Sequence, residues 1–258
     1  MQKIYIKDFS ILEQTLNAVL KIVPSVKFII NETGLTIHSC NAYARCSVFT
    51  NSVTSDEELN ICIKDANTLA KTLSVIKDEE GKKKTESNAI IEAQYDGTFI
   101  YLNTKNIKTK IITVKEEVIQ NTISKAVTTV LMPILEFKTS SENIKKVLSN
   151  SFMFTDVENV RVYLNQHDDL QQNCLYAEVT NKTNRLSNNI TVKLGDITLG
   201  KVTEDIILDF ERLSVFNLFK NDNIVIQLMD KPFLVAELAI YKDNMFSKFT
   251  IYNTLRKS

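Results

Sequence analysis

Hydrophobic and polar positions follow two rhythms along this chain, and the order of the rhythms is repeated. "KIYIKD", residues 3–8, alternates as a strand. In "FSILEQTLNAVLKIV" the residues Ile11, Leu12, Leu16, Val19, Leu20 and Val23 recur at helical spacing, and Pro24 stops the helix. "VKFIINETGLTIHSC" is two alternating runs around "NETG" and predicts a hairpin, with Gly34 supplying a positive φ at the turn. "ARCSVFT" and "LNICI" predict two more strands. "DANTLAKTLSVIK" predicts a second helix with Ala66, Leu69, Ala70, Leu73 and Ile76 on one face. After the charged loop "DEEGKKKTES" come a hairpin, "NAIIEAQYDGTFIYLNT", and a last strand, "KTKIITV".

The order then starts again. "ILEFKTS" predicts a strand and "SENIKKVLSNSF" a helix. "NVRVYLN", "LYAEVTN" and "NNITVKL" predict strands, and "DFERLSVFNLFK" a second helix. The hairpin "NIVIQLMDKPFLVAELAIYKD" and the strand "SKFTIYN" close the half. The two hairpins align without a gap at an offset of 135 (223 minus 88): Asn88 meets Asn223, Ile91 meets Ile226, Gly97 meets Pro232 and Phe99 meets Leu234. The chain therefore reads as two copies of one α+β unit, residues 1–114 and 130–258, joined by a weakly patterned connector, 115–129. Strands outnumber helices and are mostly hairpin-linked. That predicts largely antiparallel sheets with the helices on one side.

Composition removes several function classes. Lys+Arg and Asp+Glu both number 31, so no strong net charge drives binding to nucleic acid, although a local basic face remains open. With 5 Gly and neither GxGxxG nor a P-loop, a glycine-rich phosphate cradle is not expected. No apolar run reaches membrane-span length, and "MQKIYIKDF" lacks the apolar core of a signal peptide. Cys40, Cys46, Cys62 and Cys174 have neither zinc-site nor disulfide-framework spacing and read as reduced thiols. The expectation is a soluble intracellular protein, cytoplasmic or nuclear.

The candidate chemistry is equally sparse. His38 and Cys40 share one side of a strand, but two ligands are too few for a structural metal site, and no metal or cofactor is expected. "HDD", residues 167–169, sits in a polar loop and reads as a turn. No acidic cluster that would hold metal ions for a nucleic-acid-modifying enzyme falls on the predicted strands. The expectation is a non-enzyme.

Four stretches, in order, carry a family resemblance: "SILEQTLNAVL" at 10–20, "GLTIHSCNAYARCSV" at 34–48, "LAKTL" at 69–73 and "KPFLVAEL" at 231–238. With the two-fold repeat, the chain resembles the proliferating cell nuclear antigen (PCNA) family of DNA sliding clamps over nearly its whole length. Its Asn-, Ile- and Lys-rich wording suggests an AT-rich genome, viral or phage. The resemblance implies a homotrimeric ring with sheets outside and helices lining a channel for duplex DNA. It implies a clamp loader, and a DNA polymerase tethered from outside. Tethering works by effective concentration, because a topological link makes rebinding intramolecular.

The resemblance also assigns residues. Gln14, Asn17, Lys21, Lys71, Lys145, Lys146, Arg212 and Lys220 lie on helix faces opposite the apolar stripes and would meet phosphates without reading sequence. Glu13, Gln14 and Ser74 stand where many members carry lysine, and "GKKK" at 81–84 adds charge in a loop. Partners would dock at Cys40, Ala44, Arg45, Ser47, Pro232, Thr250, Ile251 and Tyr252, covered by Ile119 and Ile123 of the connector, typically by inserting a short peptide. Arg45, Ser47 and Thr250 make this site more polar than the family's usual one. For ring closure, the edge strand at 108–114 would pair with the strand at 175–181 of a neighbour. Two other readings stand beside the ring. One is a monomeric or dimeric viral processivity factor that holds DNA on one basic face. The other is a clamp-fold regulator of polymerase that does not encircle DNA.

Overall fold

The computed structural model describes residues 1–22, 24–40, 44–81, 91–104, 107–122, 131–151, 160–166, 173–181, 189–202, 206–209, 223–231 and 233–254. The chain divides into two compact units: Met1–Lys125 with Ala239–Phe249, and Ala126–Leu238 with Thr250–Ser258.

In the first unit, β1 (Gln2–Ile6) leads into α1 (Phe9–Leu20). The Asp8 side chain caps α1 by accepting a 2.9 Å bond from the Ile11 amide, a contact that contributes about 1 kcal/mol. Ile11, Leu12, Leu16 and Val19 are buried along one stripe, as the spacing predicts. Next come β2 (Val26–Ile30), β3 (Leu35–Cys40), β4 (Ala44–Thr50), β5 (Val53–Thr54) and β6 (Leu59–Ile63). The unit continues with α2 (Asn67–Gly81), β7 (Ile91–Tyr95), β8 (Phe99–Asn103) and β9 (Lys108–Ile112). One sheet runs β5-β1-β7-β8-β9, and β9 is its edge. The other runs β4-β3-β2-β6.

The β2–β3 turn differs from its expectation. Gly34 is not among the positive-φ glycines. Instead it is needed for close approach, since a Cβ there would meet the Thr50 carbonyl and the Phe49 ring. The Asn31 side chain closes the turn by accepting bonds from the Thr33 and Gly34 amides at 2.9 and 3.2 Å.

The second unit contains β10 (Pro133–Thr139), α3 (Ser141–Ser151), β11 (Val160–Asn165), β12 (Cys174–Asn181), β13 (Asn189–Leu199), β14 (Ile206–Asp209) and β15 (Ile224–Met229). β16 (Phe233–Lys242) and β17 (Met245–Thr254) close the chain. The order within the unit is β14-β11-β12-β13-β10-β15-β16. The predicted helix "DFERLSVFNLFK" lies outside the described residues except for Asp209, which ends β14; "HDD" and residues 82–84 of "GKKK" also lie outside them.

The repeat is visible in the pairing. In the first unit the order is β6-β2-β3-β4, then β5-β1-β7-β8. In the second it is β14-β11-β12, then β13, then β10-β15-β16. β13 does the work of β4 and β5 together: its first part pairs β12 and its last part pairs β10. The switch falls at Gly195, where a Cβ would collide with the Lys138 carbonyl. Every registered strand pair is antiparallel, as expected from the hairpin-rich order. No helix among the described residues is long and apolar enough to cross a membrane.

Candidate functional site

The helix faces separate cleanly into buried and exposed residues. On α1, Gln14, Asn17 and Lys21 are exposed opposite the buried stripe. Lys71 is exposed on α2, and Lys145 and Lys146 on α3. Glu13, set beside Gln14 in the sequence reading, is instead buried at 8% exposure and does not belong to this face. Lys146 Nζ bonds Glu142 Oε1 at 3.0 Å, one helical turn away. Both partners are exposed, so the pair adds little stability and leaves the lysine able to exchange toward an anion. Arg212 and Lys220 lie outside the described residues.

The second candidate surface is the face of β2, β3 and β4 that points away from the core. Alternation fixes it. Phe28, Ile30, Leu35, Ile37, Cys46 and Val48 point inward and are buried. Lys27 pairs with His38 across β2–β3, and His38 with Ser47 across β3–β4. Cys40 pairs with Arg45 two residues along, on the same face. On the other side of β2, Lys27 pairs with Cys62 of β6. Ala44 has the opposite parity to Arg45 and is buried at 1%, so it belongs to the core and not to the docking face as expected.

The start of the connector covers this face. The Val114 amide donates to the Cys62 carbonyl at 2.9 Å and ties the connector to β6. A 3-10 turn, Glu116–Thr122, follows and touches β2, β3 and β6. Ile119 is buried at 3%, and Lys27 Nζ donates to Glu116 Oε2 at 2.8 Å. A cleft of about 370 Å³ opens beside the turn, lined among others by Asn60, Cys62, Thr113 and Glu116. On the same face, next to Lys27, His38 is half-buried, and its Nδ1 is buried and makes no hydrogen bond to the described residues. Burial, then the Lys27 charge, lowers the His38 pKa. Ile123 and Pro232 lie outside the described residues.

In the second unit, Ile251 is wholly buried, at 0% exposure. Strand alternation turns its neighbours Thr250 and Tyr252, both half-buried, to the opposite face. Ile251 is thus a core residue and not a pocket wall.

Chemistry of the thiol kind finds no support. Burial pushes the Cys46 thiol up to about 12 and raises Cys62 as well, the opposite of what a nucleophilic thiolate needs. Among the described residues no group of three or more His, Cys, Asp or Glu side chains is placed to hold a metal ion.

The predicted ring contact needs one correction. β9 is an edge strand, and Ile112 is exposed at 64%. β12, which contains 175–181, is not an edge: it pairs β11 on one side and β13 on the other. A free edge beside it is the first part of β13, 189–193, which among the described residues pairs only with β12. The sequence reading missed it. The repeat reveals it, because β4 is the counterpart of this part of β13, and within the first unit β4 accepts a strand, the start of β17. There the Asn51 amide donates to the Phe246 carbonyl at 3.3 Å, Thr50 Oγ1 donates to the same carbonyl at 2.8 Å, and the Phe49 and Phe246 rings lie 5.8 Å apart.

No protein-family model matches the sequence, and no curated protein matches it. Solved structures do match. PCNA from A. fulgidus, in a structure with the C-terminal region of FEN-1, superimposes with a TM-score of 0.70 at 12% identity, covering 100% of this chain and 99% of that one. PCNA from Entamoeba histolytica gives 0.66 at 12% identity and 99% of both chains. The beta clamp of Helicobacter pylori, bound to a DNA ligase peptide, gives 0.63 at 12% identity, covering 99% of this chain and 67% of that one. The chain has the DNA clamp fold, shared with PCNA and the beta clamp.

Proposed function

We propose that this protein is a sliding clamp that encircles duplex DNA as a homotrimer and tethers a replicative DNA polymerase, placed on DNA by a clamp loader. The observation that carries this reading is the repeated strand order, matched over the full chain by clamp structures. Supporting it, each unit presents an exposed polar or basic helix face: Gln14, Asn17, Lys21 and Lys71 in the first, Lys145 and Lys146 in the second. Arg212 and Lys220 extend this set in the sequence.

Ring closure would use the free edge of β9 against the free part of β13 of a neighbour, copying the β17–β4 junction that the repeat already contains. Partners would dock on the face of the first unit that carries Cys40, Arg45 and Ser47 and is covered by Ile119. Two of the superimposed clamps carry partner peptides, which supports peptide docking as the mode of recruitment.

The DNA face is tested by replacing Lys71, Lys146 and Arg212 together with Ala. Retention on DNA and polymerase stimulation should fall without regard to sequence, with the largest deficit at low salt and a shallower salt dependence than the wild type, because each lost phosphate contact removes its share of counterion release. Thermal stability should change by no more than about 0.5 kcal/mol per site. Unchanged retention across a salt series would remove these helix faces from the DNA path.

A further inference from the structure

The face under the connector holds a group that the docking reading does not use. His38 is set between Lys27 on β2 and Ser47 on β4, with Cys40 two residues on along its own strand. Its Nδ1 is buried without a hydrogen bond to the described residues. The charge that acts on it is Lys27 of β2; Arg45 of β4 lies opposite Cys40 on the same face, and Glu116 and Glu117 of the 3-10 turn act on the Cys62 thiol of β6, on the far side of Lys27. Glu116 is engaged by Lys27 at 2.8 Å. The nearest cation is therefore fixed on the imidazole's own row of the sheet, and the carboxylate that pairs with it is directed at Lys27.

We propose that His38 is a proton-operated latch for the turn Glu116–Thr122: the turn closes over a neutral imidazole and is released when that imidazole is protonated. A cation on a half-buried ring whose inner nitrogen has no partner is costly, more so beside the Lys27 ammonium. Closure holds the imidazole neutral, and burial and Lys27 both push its pKa below the usual 6.5. In the released state more of the ring meets solvent and its pKa rises toward the ordinary value, with Lys27 still opposite it across the sheet. The sign follows directly. The open form binds the proton more tightly, so closure is fully stable above about 6.5 and weakens as pH falls below that value. The cleft beside Cys62 and Glu116 lies along the start of the turn. As a control on partner docking, the latch rests on the reading that partners use this face. The opening itself does not.

The test is hydrogen exchange on the free, full-length protein between pH 7.5 and 5, corrected for intrinsic exchange rates. Amides of residues 114–119 should lose protection severalfold as pH falls, while the strands of the first unit keep theirs. His38→Gln, which cannot titrate, should hold protection level over the same range. The chain has 2 histidines, so the proton NMR titration of the His38 ring can be assigned by comparison with His167→Gln, and it should fall below the value for a free imidazole. A flat wild-type profile overturns the proposal. So does an equal loss in His38→Gln, which would place the sensitivity in the Lys27–Glu116 pair. If His38→Gln fails to fold, a wild-type His38 titration at or above the ordinary value overturns it alone. No partner is present, so the outcome is independent of whether docking occurs on this face.

Discussion

Ile112→Pro should convert the assembled protein to a species near the 29.4 kDa of a single chain, with loss of retention on DNA. The strand pairing explains why this substitution is selective. In β8–β9 the register pairs Phe99 with Ile112, and the Thr113 amide donates to the Thr98 carbonyl at 2.9 Å. Bonded and non-bonded pairs alternate in an antiparallel ladder. The Ile112 amide therefore points away from β8, toward the free edge. Proline there removes a donor offered only to a neighbour and leaves the bonds to β8 in place. Light scattering checks the mass and circular dichroism checks the fold. An oligomer of unchanged mass would show that β9 is not the assembly edge. A folded monomer that still stimulates polymerase would favour the one-face processivity factor.

Ile251→Asp should have the largest effect on stability. Ile251 has no exposed surface, and its strand carries Phe249, also at 0%, on the same side. A carboxylate in that position is buried without a designed partner and leaves the aliphatic volume empty. The expected cost is about 4 kcal/mol or more, against a total of about 5–15 kcal/mol for a typical domain. Denaturant unfolding should show the loss before any partner is added. Tyr252→Asp, on the opposite face of the same strand, should cost far less and is the proper probe of docking. If Ile251→Asp left the midpoint unchanged, the assignment of the inward face of β17 would be wrong.

These two residues show which features the sequence made legible. Helices α1, α2 and α3, the hairpins β2–β3 and β7–β8, and the two-fold repeat follow from local periodicity and appear where the pattern put them, except that α2 runs on to Gly81 through the first residues of the predicted charged loop. The sequence reading gave no separate strands for β5 and β14, which span only two and four residues, too short for alternation to register. β13 runs past "NNITVKL" to Leu199 because one strand serves two neighbours in turn, a long-range arrangement that no local pattern encodes. The same limit explains the misassigned edge. "LYAEVTN" carries Glu178 and Thr180, which suggest exposure, yet both are buried in a strand paired on each side.

Face assignments failed by parity. Ala44 and Ile251 sit next to exposed or half-exposed neighbours in sequence, and one step along a strand reverses the face. The helix faces were easier, since Gln14, Asn17 and Lys21 follow the same spacing that buries Leu12, Leu16 and Val19. The resemblance placed Ile119 of the connector over the face that carries His38, but the anchoring of the turn could not be read. It depends on Glu116 meeting Lys27 across 89 residues of chain.

The most direct measurement of the central claim is retention on circular duplex DNA before and after one cut. The protein is assembled on a closed circle, freed of unbound chains, and challenged with a single-site nuclease at moderate salt. An encircling clamp remains on the closed circle and leaves promptly once an end exists, and a bulky block at the ends restores retention. Equal retention on cut and uncut circles, without blocked ends, would contradict encirclement.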